Sequence, residues 1–185
     1  MLAVTGSGTT IVRELTRAEP VERIDADLAW ADCDFDIPET DRFVLAAGVM
    51  VGEKIQHQSG SALIRAFSVN LINVVRLCET ILDTNPRARI VAIGSESAFL
   101  GSYDQAYAVA KGGLCAYASW RKVGPDQTLA VLCPPIIADS GMTLKRHDYP
   151  ICLETRRTVT AAHVAKAVLR ILDGPTGQSF VERMC

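Results

Sequence analysis

The sequence predicts an α/β fold, one doubly wound parallel sheet covered by helices on both faces, and three observations predict it. Short apolar runs recur at Leu2 to Val4, Phe43 to Ala46, Ile90 to Ile93 and Leu129 to Leu132. Each run is continuously hydrophobic rather than alternating, as strands buried on both faces are. Between the runs lie segments whose apolar residues recur at three and four positions, the period of an amphipathic helix. With 185 residues, 49% of them hydrophobic and 22% charged, the chain can bury one sizeable core, so a single domain over residues 1–185 is expected.

Weaker strand candidates lie at Val21 to Ile24, around Trp30 to Phe35, and at Ser179 to Val181. The clearest helix runs from Ser61 to Thr84, where Leu63, Phe67, Leu71, Val74, Cys78 and Ile81 form one stripe. Asn85-Pro86 stops it, because proline disfavours helical backbone in the residue before it. Ile64, Val75 and Leu82 fall outside the stripe, and a second apolar face calls for a partner. A homodimer or homotetramer is therefore expected. A second helix spans Asp104 to Trp120, rich enough in Ala, Gly and Ser to pack closely on its neighbour. The last starts at the N-cap Thr160, carries Val164, Val168, Ile171 and Leu172 on one side, and ends at Gly174.

The net charge of −2 supplies no field to hold a phosphate backbone or an anionic membrane, so neither nucleic acid nor membrane is an expected partner. No stretch reads as the ~18 apolar residues of a membrane span. The six cysteines are scattered without C-x-x-C or a nearby His pair. They read as thiols of a reducing cytoplasm, and no metal site is expected.

Two segments carry chemistry. After the first strand comes Val4-Thr5-Gly6-Ser7-Gly8-Thr9-Thr10-Ile11. Glycines at such a strand-to-helix turn let the backbone approach a pyrophosphate, whose charge the free N–H groups of the helix start receive. A full G-x-G-x-x-G would put its third glycine at Ile11, so the match is partial. The second segment is Tyr107-Ala-Val-Ala-Lys111, preceded by a strand ending in Ile93-Gly94-Ser95. Residues four apart share a helix face, and an ammonium beside a phenol favours phenolate, which would lower the tyrosine pKa toward acid/base use.

Taken in order, these residues make the chain resemble the short-chain dehydrogenase/reductase family from end to end. Leu45-Ala46-Ala47-Gly48 stands where the family has Asn-Asn-Ala-Gly. Val69-Asn70-Leu71 follows in the next helix, then Ser95, then Tyr-x-x-x-Lys, then Cys133-Pro134-Pro135 where the family has Pro-Gly. The resemblance implies a Rossmann-type fold and an NAD(P)-dependent oxidoreductase acting on a small carbonyl or alcohol substrate. Tyr107 would be the general acid/base; Lys111 would bind the nicotinamide ribose and tune Tyr107; Ser95 would hold the substrate oxygen; Asn70 would help hold a proton-relay water. Cofactor contacts would come from Gly6, Ser7, Gly8, Thr9, Thr10 and Ile11, from Ala46, Ala47 and Gly48, from Tyr107 and Lys111, and from Pro134, Ile136 and Ile137.

Cofactor choice would rest on Asp25 after the second strand, where a carboxylate accepts from the adenosine ribose and repels a 2′-phosphate. NAD is thus slightly preferred over NADP, with Arg23 or Arg13 as the phosphate ligand in the opposite case. Asp36 or Asp34 would meet the adenine amino group. The chain also departs from the family pattern. Ser95 stands twelve positions before Tyr107, one fewer than the family spacing, with Ser97 as a substitute. There is room only for a turn between Asp36 and Phe43, and the segment after Thr143 is brief. A non-catalytic dinucleotide-binding sensor or scaffold on the same fold is the competing reading.

Overall fold

The computed structural model describes residues 1–185 apart from Asp25, residues 30–33, Glu53, His147 and Cys185. In chain order the main elements are β1 (Leu2–Thr5), α1 (Thr10–Ala18), β2 (Val21–Arg23), β3 (Arg42–Leu45), α2 (Gly60–Phe67), a π-helical turn (Ser68–Ile72) and α3 (Asn73–Thr84). Next come β4 (Arg89–Ile93), α4 (Ser97–Leu100), α5 (Gln105–Trp120), β5 (Thr128–Cys133), β6 (Ile136–Ile137), α6 (Gly141–Leu144), α7 (Ile151–Thr155), β7 (Thr158–Val159), α8 (Ala161–Leu172) and β8 (Gln178–Arg183).

Six strands form one parallel sheet in the order β2-β1-β3-β4-β5-β8. The chain steps outward from β1 to β2, then crosses back to place β3 on the other side of β1. That reversal opens a crevice beyond the carboxyl ends of β1 and β3, the place where open α/β sheets bind ligands. A two-stranded pair, β6 with β7, stands apart from the main sheet.

Strand alternation divides the core. Leu2, Val4, Val44, Val91, Ala130 and Leu132 face α1 and α8, meeting Ile11, Val12 and Leu15 from one and Val164, Val168 and Leu172 from the other. Ala3, Phe43, Leu45, Ile90, Leu129 and Val131 face α3 and α5, meeting Leu77, Ile81 and Leu114. Both faces are covered, which is why the strands read as unbroken apolar runs.

Two expectations need correction. The region Trp30 to Phe35 contributes no strand among its described residues, Asp34 and Phe35; residues 30–33 lie outside the described residues. The helix expected over Ser61 to Thr84 is interrupted by the π-helical turn, where the Asn73 N–H bonds the Ser68 carbonyl five residues back. Beyond the turn the expected Val74, Cys78 and Ile81 are buried together with Leu77 and Leu82, while Leu71 within it is only half-buried. The expected second apolar face is reduced accordingly: Leu82 belongs to the core, and Ile64 is the exposed member. Gly60–Thr84 is long and apolar enough by composition to cross a membrane, with a mean hydropathy of 1.4 in its most apolar stretch. In this fold its Val74, Leu77, Cys78, Ile81 and Leu82 belong to the core against the sheet, while Ile64 and Ile72 are exposed.

Candidate functional site

A cleft of about 1040 Å³ lies at the carboxyl ends of β1, β3, β4 and β5, and the segments leaving these strands line it. At β1, Gly6 takes φ +70°, and a Cβ there would stand 2.7 Å from the Ala47 nitrogen. Only glycine lets the two loops of the switch point touch. The Ala47 N–H also donates to Thr5 Oγ1 at 3.3 Å. Gly8 differs: nothing lies within 4 Å of a Cβ built on it, and it opens on the cleft. Thr9 then caps α1, its side chain accepting from the Val12 N–H. Thr10, Ile11 and Arg13 line the cleft beside it.

The catalytic candidates meet on the other wall. Asp104 is fully buried and caps α5, its carboxylate accepting from the Tyr107 N–H at 3.0 Å and from the N–H groups of Val51 and Gly52 at 2.7 and 2.8 Å. This one side chain aligns the start of α5 with the loop after β3, and so sets where Tyr107 stands. Ser95 follows β4 and lines the cleft beside Tyr107, whose hydroxyl pKa its side chain acts to lower. Ser97 donates its own hydroxyl to Ser95 Oγ at 2.8 Å. The tightened spacing thus keeps Ser95 in reach and adds Ser97 behind it. Lys111, one turn beyond Tyr107, is buried, donates to the Ile93 carbonyl at 2.7 Å and lies 5.7 Å from the centroid of the Tyr107 ring.

Electrostatics in this wall run opposite to the simple expectation. Burial pushes the Tyr107 hydroxyl up to about 12, opposed by the Ser95 side chain. Burial pulls Lys111 down to about 8. The expected lowering of the Tyr107 pKa by Lys111 is therefore not what this geometry yields, because desolvation outweighs a cation whose ammonium is turned to the Ile93 carbonyl. Tyr107 holds its proton at neutral pH.

Thirteen of the expected site residues line the cleft: Gly8 to Ile11, Ala46 to Gly48, Ser95, Tyr107, Lys111, Pro134, Ile136 and Ile137. Gly6 and Ser7 are not among the lining residues; Ser7 is exposed, and Gly6 acts through packing. Nor is Asn70 among them. Its amide accepts from the Val49 N–H at 3.1 Å and donates to the carbonyls of Val49 and Ala66 at 2.8 and 2.9 Å. Within the π-helical turn it ties the loop after β3 to the helix beyond. Asp36 and Asp34 are exposed and do not line the cleft. Asp25 lies outside the described residues.

Sequence reasoning missed the far wall. Arg146 donates two 2.7 Å bonds to the Asp148 carboxylate and stacks 4.8 Å from the Tyr103 ring centroid. Arg157 pairs with Glu96 at 2.9 Å, bracing the loop that carries Ser95. Only Asp104 had a signal, an aspartate three residues before Tyr107 at a helix start. The Tyr103–Arg146 and Glu96–Arg157 pairs join segments far apart in sequence, so no local spacing announces them.

The chain matches no family sequence model and no curated protein by sequence. Its fold has many solved counterparts. Aldohexose dehydrogenase of Thermoplasma acidophilum superposes with a TM-score of 0.76 at 17% identity, over 98% of this chain and 92% of that one. A short chain dehydrogenase family protein from Francisella tularensis gives 0.71 at 15%, over 98% and 96%. The actinorhodin polyketide ketoreductase, solved with NADPH, gives 0.76 at 16%, over 100% and 95%. The fold of this chain is that of short-chain dehydrogenase/reductase proteins.

Proposed function

We propose that the protein is an oxidoreductase of the short-chain dehydrogenase/reductase type, exchanging hydride between a nicotinamide dinucleotide and a small carbonyl or alcohol substrate. The observation that carries this reading is that Ser95, Tyr107 and the buried Lys111 line one wall of the cleft that begins at the Gly8 turn. The residues present suit a dinucleotide. The space over Gly8 and the free N–H groups at the start of α1 fit a pyrophosphate, and Ala46 to Gly48 form a smooth wall for the groups beyond it.

When bound, the nicotinamide supplies the hydride. Ser95 would donate to the substrate oxygen and hold it against Tyr107. Tyr107, protonated at neutral pH, would pass its proton to that oxygen as negative charge builds there. Lys111 uses one N–H on the Ile93 carbonyl and has two left for the ribose. Asn70, with its amide held by Val49 and Ala66, would fix the loop beside the nicotinamide and so help place a relay water.

Cofactor preference follows from charge. A carboxylate at Asp25 would favour NAD, whereas Arg13, on the cleft wall one turn into α1, would favour NADP. We hold to NAD; tighter binding of NADPH than NADH would reverse it and name Arg13. We further propose a cytoplasmic homodimer or homotetramer. Helices α2 and α5 pack together and leave Ile64, Val109 and Trp120 exposed at 65, 57 and 87%, apolar surface that association would cover. Light scattering at micromolar concentration tests it.

The activity is tested by titrating NADH and NADPH against thermal stability and screening carbonyl compounds with the tighter binder. Binding with turnover that Tyr107→Phe abolishes supports the enzyme. Tight binding with no turnover on any carbonyl would replace it with a dinucleotide sensor or scaffold.

A further inference from the structure

Tyr107, Lys111 and Cys115 succeed one another at four-residue spacing along α5, so they share one face of the helix. Cys115 Sγ lies 3.5 Å from Cys133 Sγ, at the end of β5. Cys133 in turn touches the main chain that carries Ser95. A Cβ at Gly94 would stand 2.5 Å from its sulfur. The two thiols thus bridge the helix bearing Tyr107 and the loop bearing Ser95. Lys111 and Gly94, their neighbours on either side, line the cleft, so a small oxidant on the cleft floor is one residue from each sulfur.

We propose that Cys115 and Cys133 are a peroxide-sensitive dithiol that closes to an intramolecular disulfide and thereby slows the site built on Ser95, Tyr107 and Lys111. The effect on turnover rests on the oxidoreductase reading; the disulfide does not. Cys115 is the attacking thiol: it is the less buried of the two, and its hydrogen bond with Cys133 and the Lys111 ammonium one turn away lower its pKa.

The Cys115 thiolate attacks one oxygen of a hydroperoxide, and the O–O bond breaks. Cys115 becomes a sulfenic acid, and the departing oxygen leaves as alcohol or water with the proton Cys115 gave up. The Cys133 sulfur then attacks the Cys115 sulfur, the S–OH bond breaks, and water leaves with the Cys133 proton. Two thiols lose two electrons, and the peroxide gains them. A disulfide is about 2.05 Å long, so the sulfurs must approach well inside their present separation. Cys133 is drawn off Gly94, the residue before Ser95, and α5 is drawn toward β5. Displacements on the order of 1 Å at a reacting centre can cost ~10²-fold in rate.

The experiment treats the full chain with hydrogen peroxide, blocks remaining thiols, and maps disulfides by mass spectrometry, with turnover and NAD(P)H affinity measured before and after and again after dithiothreitol. The expected result is a Cys115–Cys133 cross-link, a tenfold or greater fall in turnover reversed by dithiothreitol, and no such fall in Cys115→Ala, which keeps its basal turnover. Cys115→Ser serves if the alanine variant does not fold. Peroxide that oxidises other thiols while leaving this pair uncross-linked overturns the proposal. A cross-link that leaves turnover unchanged overturns the switch. Should the untreated protein turn over nothing, the oxidoreductase reading fails, and the cross-link alone decides for or against the dithiol.

Discussion

On the face of the sheet covered by α1 and α8, the helices bury only apolar side chains: Ile11, Val12 and Leu15 from one, and residues such as Val164, Val168 and Leu172 from the other. On the face covered by the π-helical turn, α3 and α5, the buried set also includes Ser68, Asn70, Asn73, Asp104 and Lys111. The first face reaches the cleft through backbone, at the start of α1. The second reaches it through side chains. A buried polar group must find its partners, so Asn70 is tied to Val49, Asp104 to Val51 and Gly52, and Lys111 to Ile93, each joining its helix to a named loop or strand end. One face can be repacked by anything apolar of the right volume; the other is specified group by group.

The contrast between the faces stands or falls on a pair of substitutions. Tyr107→Phe keeps the ring and its packing and should lower turnover by ~10²- to 10⁴-fold at unchanged stability. Leu15→Ala, in the apolar face, should lower stability by about 3 kcal/mol and leave the turnover of the folded fraction intact. Steady-state kinetics and urea unfolding on both variants check it. If Leu15→Ala costs turnover as severely as Tyr107→Phe, the faces are not separable.

Asp104→Ala leaves three N–H groups without their acceptor. It should destabilise the chain by about 3 kcal/mol and also reduce turnover, since Tyr107 loses its anchor. Asp104→Asn, which can still accept, should recover part of both. A stability loss with turnover untouched would mean that α5 stands without its cap.

Lys111 gives a pH signature. Its folded pKa, about 8, lies below the ordinary 10.5, so between those values the unfolded chain binds more protons and stability rises with pH. Relative to Lys111→Met, the wild type should gain ~2 kcal/mol between about pH 7 and 10. Tyr107, pushed the other way, contributes stability that is fully present below about 10 and lost as pH rises toward its folded value, outside that window. Parallel pH profiles for the two proteins would contradict the burial of the ammonium. The smallest effect belongs to the apolar face: Thr9→Ala removes the α1 cap and should cost ~1 kcal/mol, visible in the midpoint of thermal unfolding.

The apolar runs at Leu2, Phe43, Ile90 and Leu129 were legible as strands because burial on both faces leaves no polar alternation to misread. Helix ends were legible where capping chemistry is local, at Asp104 and Thr160, whose side chains accept from Tyr107 and His163 three residues on. The π-helical turn was not. It depends on Asn70 meeting Val49, a contact across twenty-one residues, and no helical periodicity encodes it.

Residue order alone predicted the parallel sheet and the glycine turn and singled out Ser95, Tyr107 and Lys111 as candidates, since each is read from spacing within one segment or from succession along the chain. Tertiary structure decided how those residues are held. It put Gly6 against Ala47 and left Gly8 open, turned Lys111 to the Ile93 carbonyl, and raised Tyr107 where spacing suggested lowering. It also brought Cys115 to Cys133. The reason is physical: spacing on a helix fixes which side chains share a face, whereas desolvation and contact distance depend on the elements the fold lays against that face.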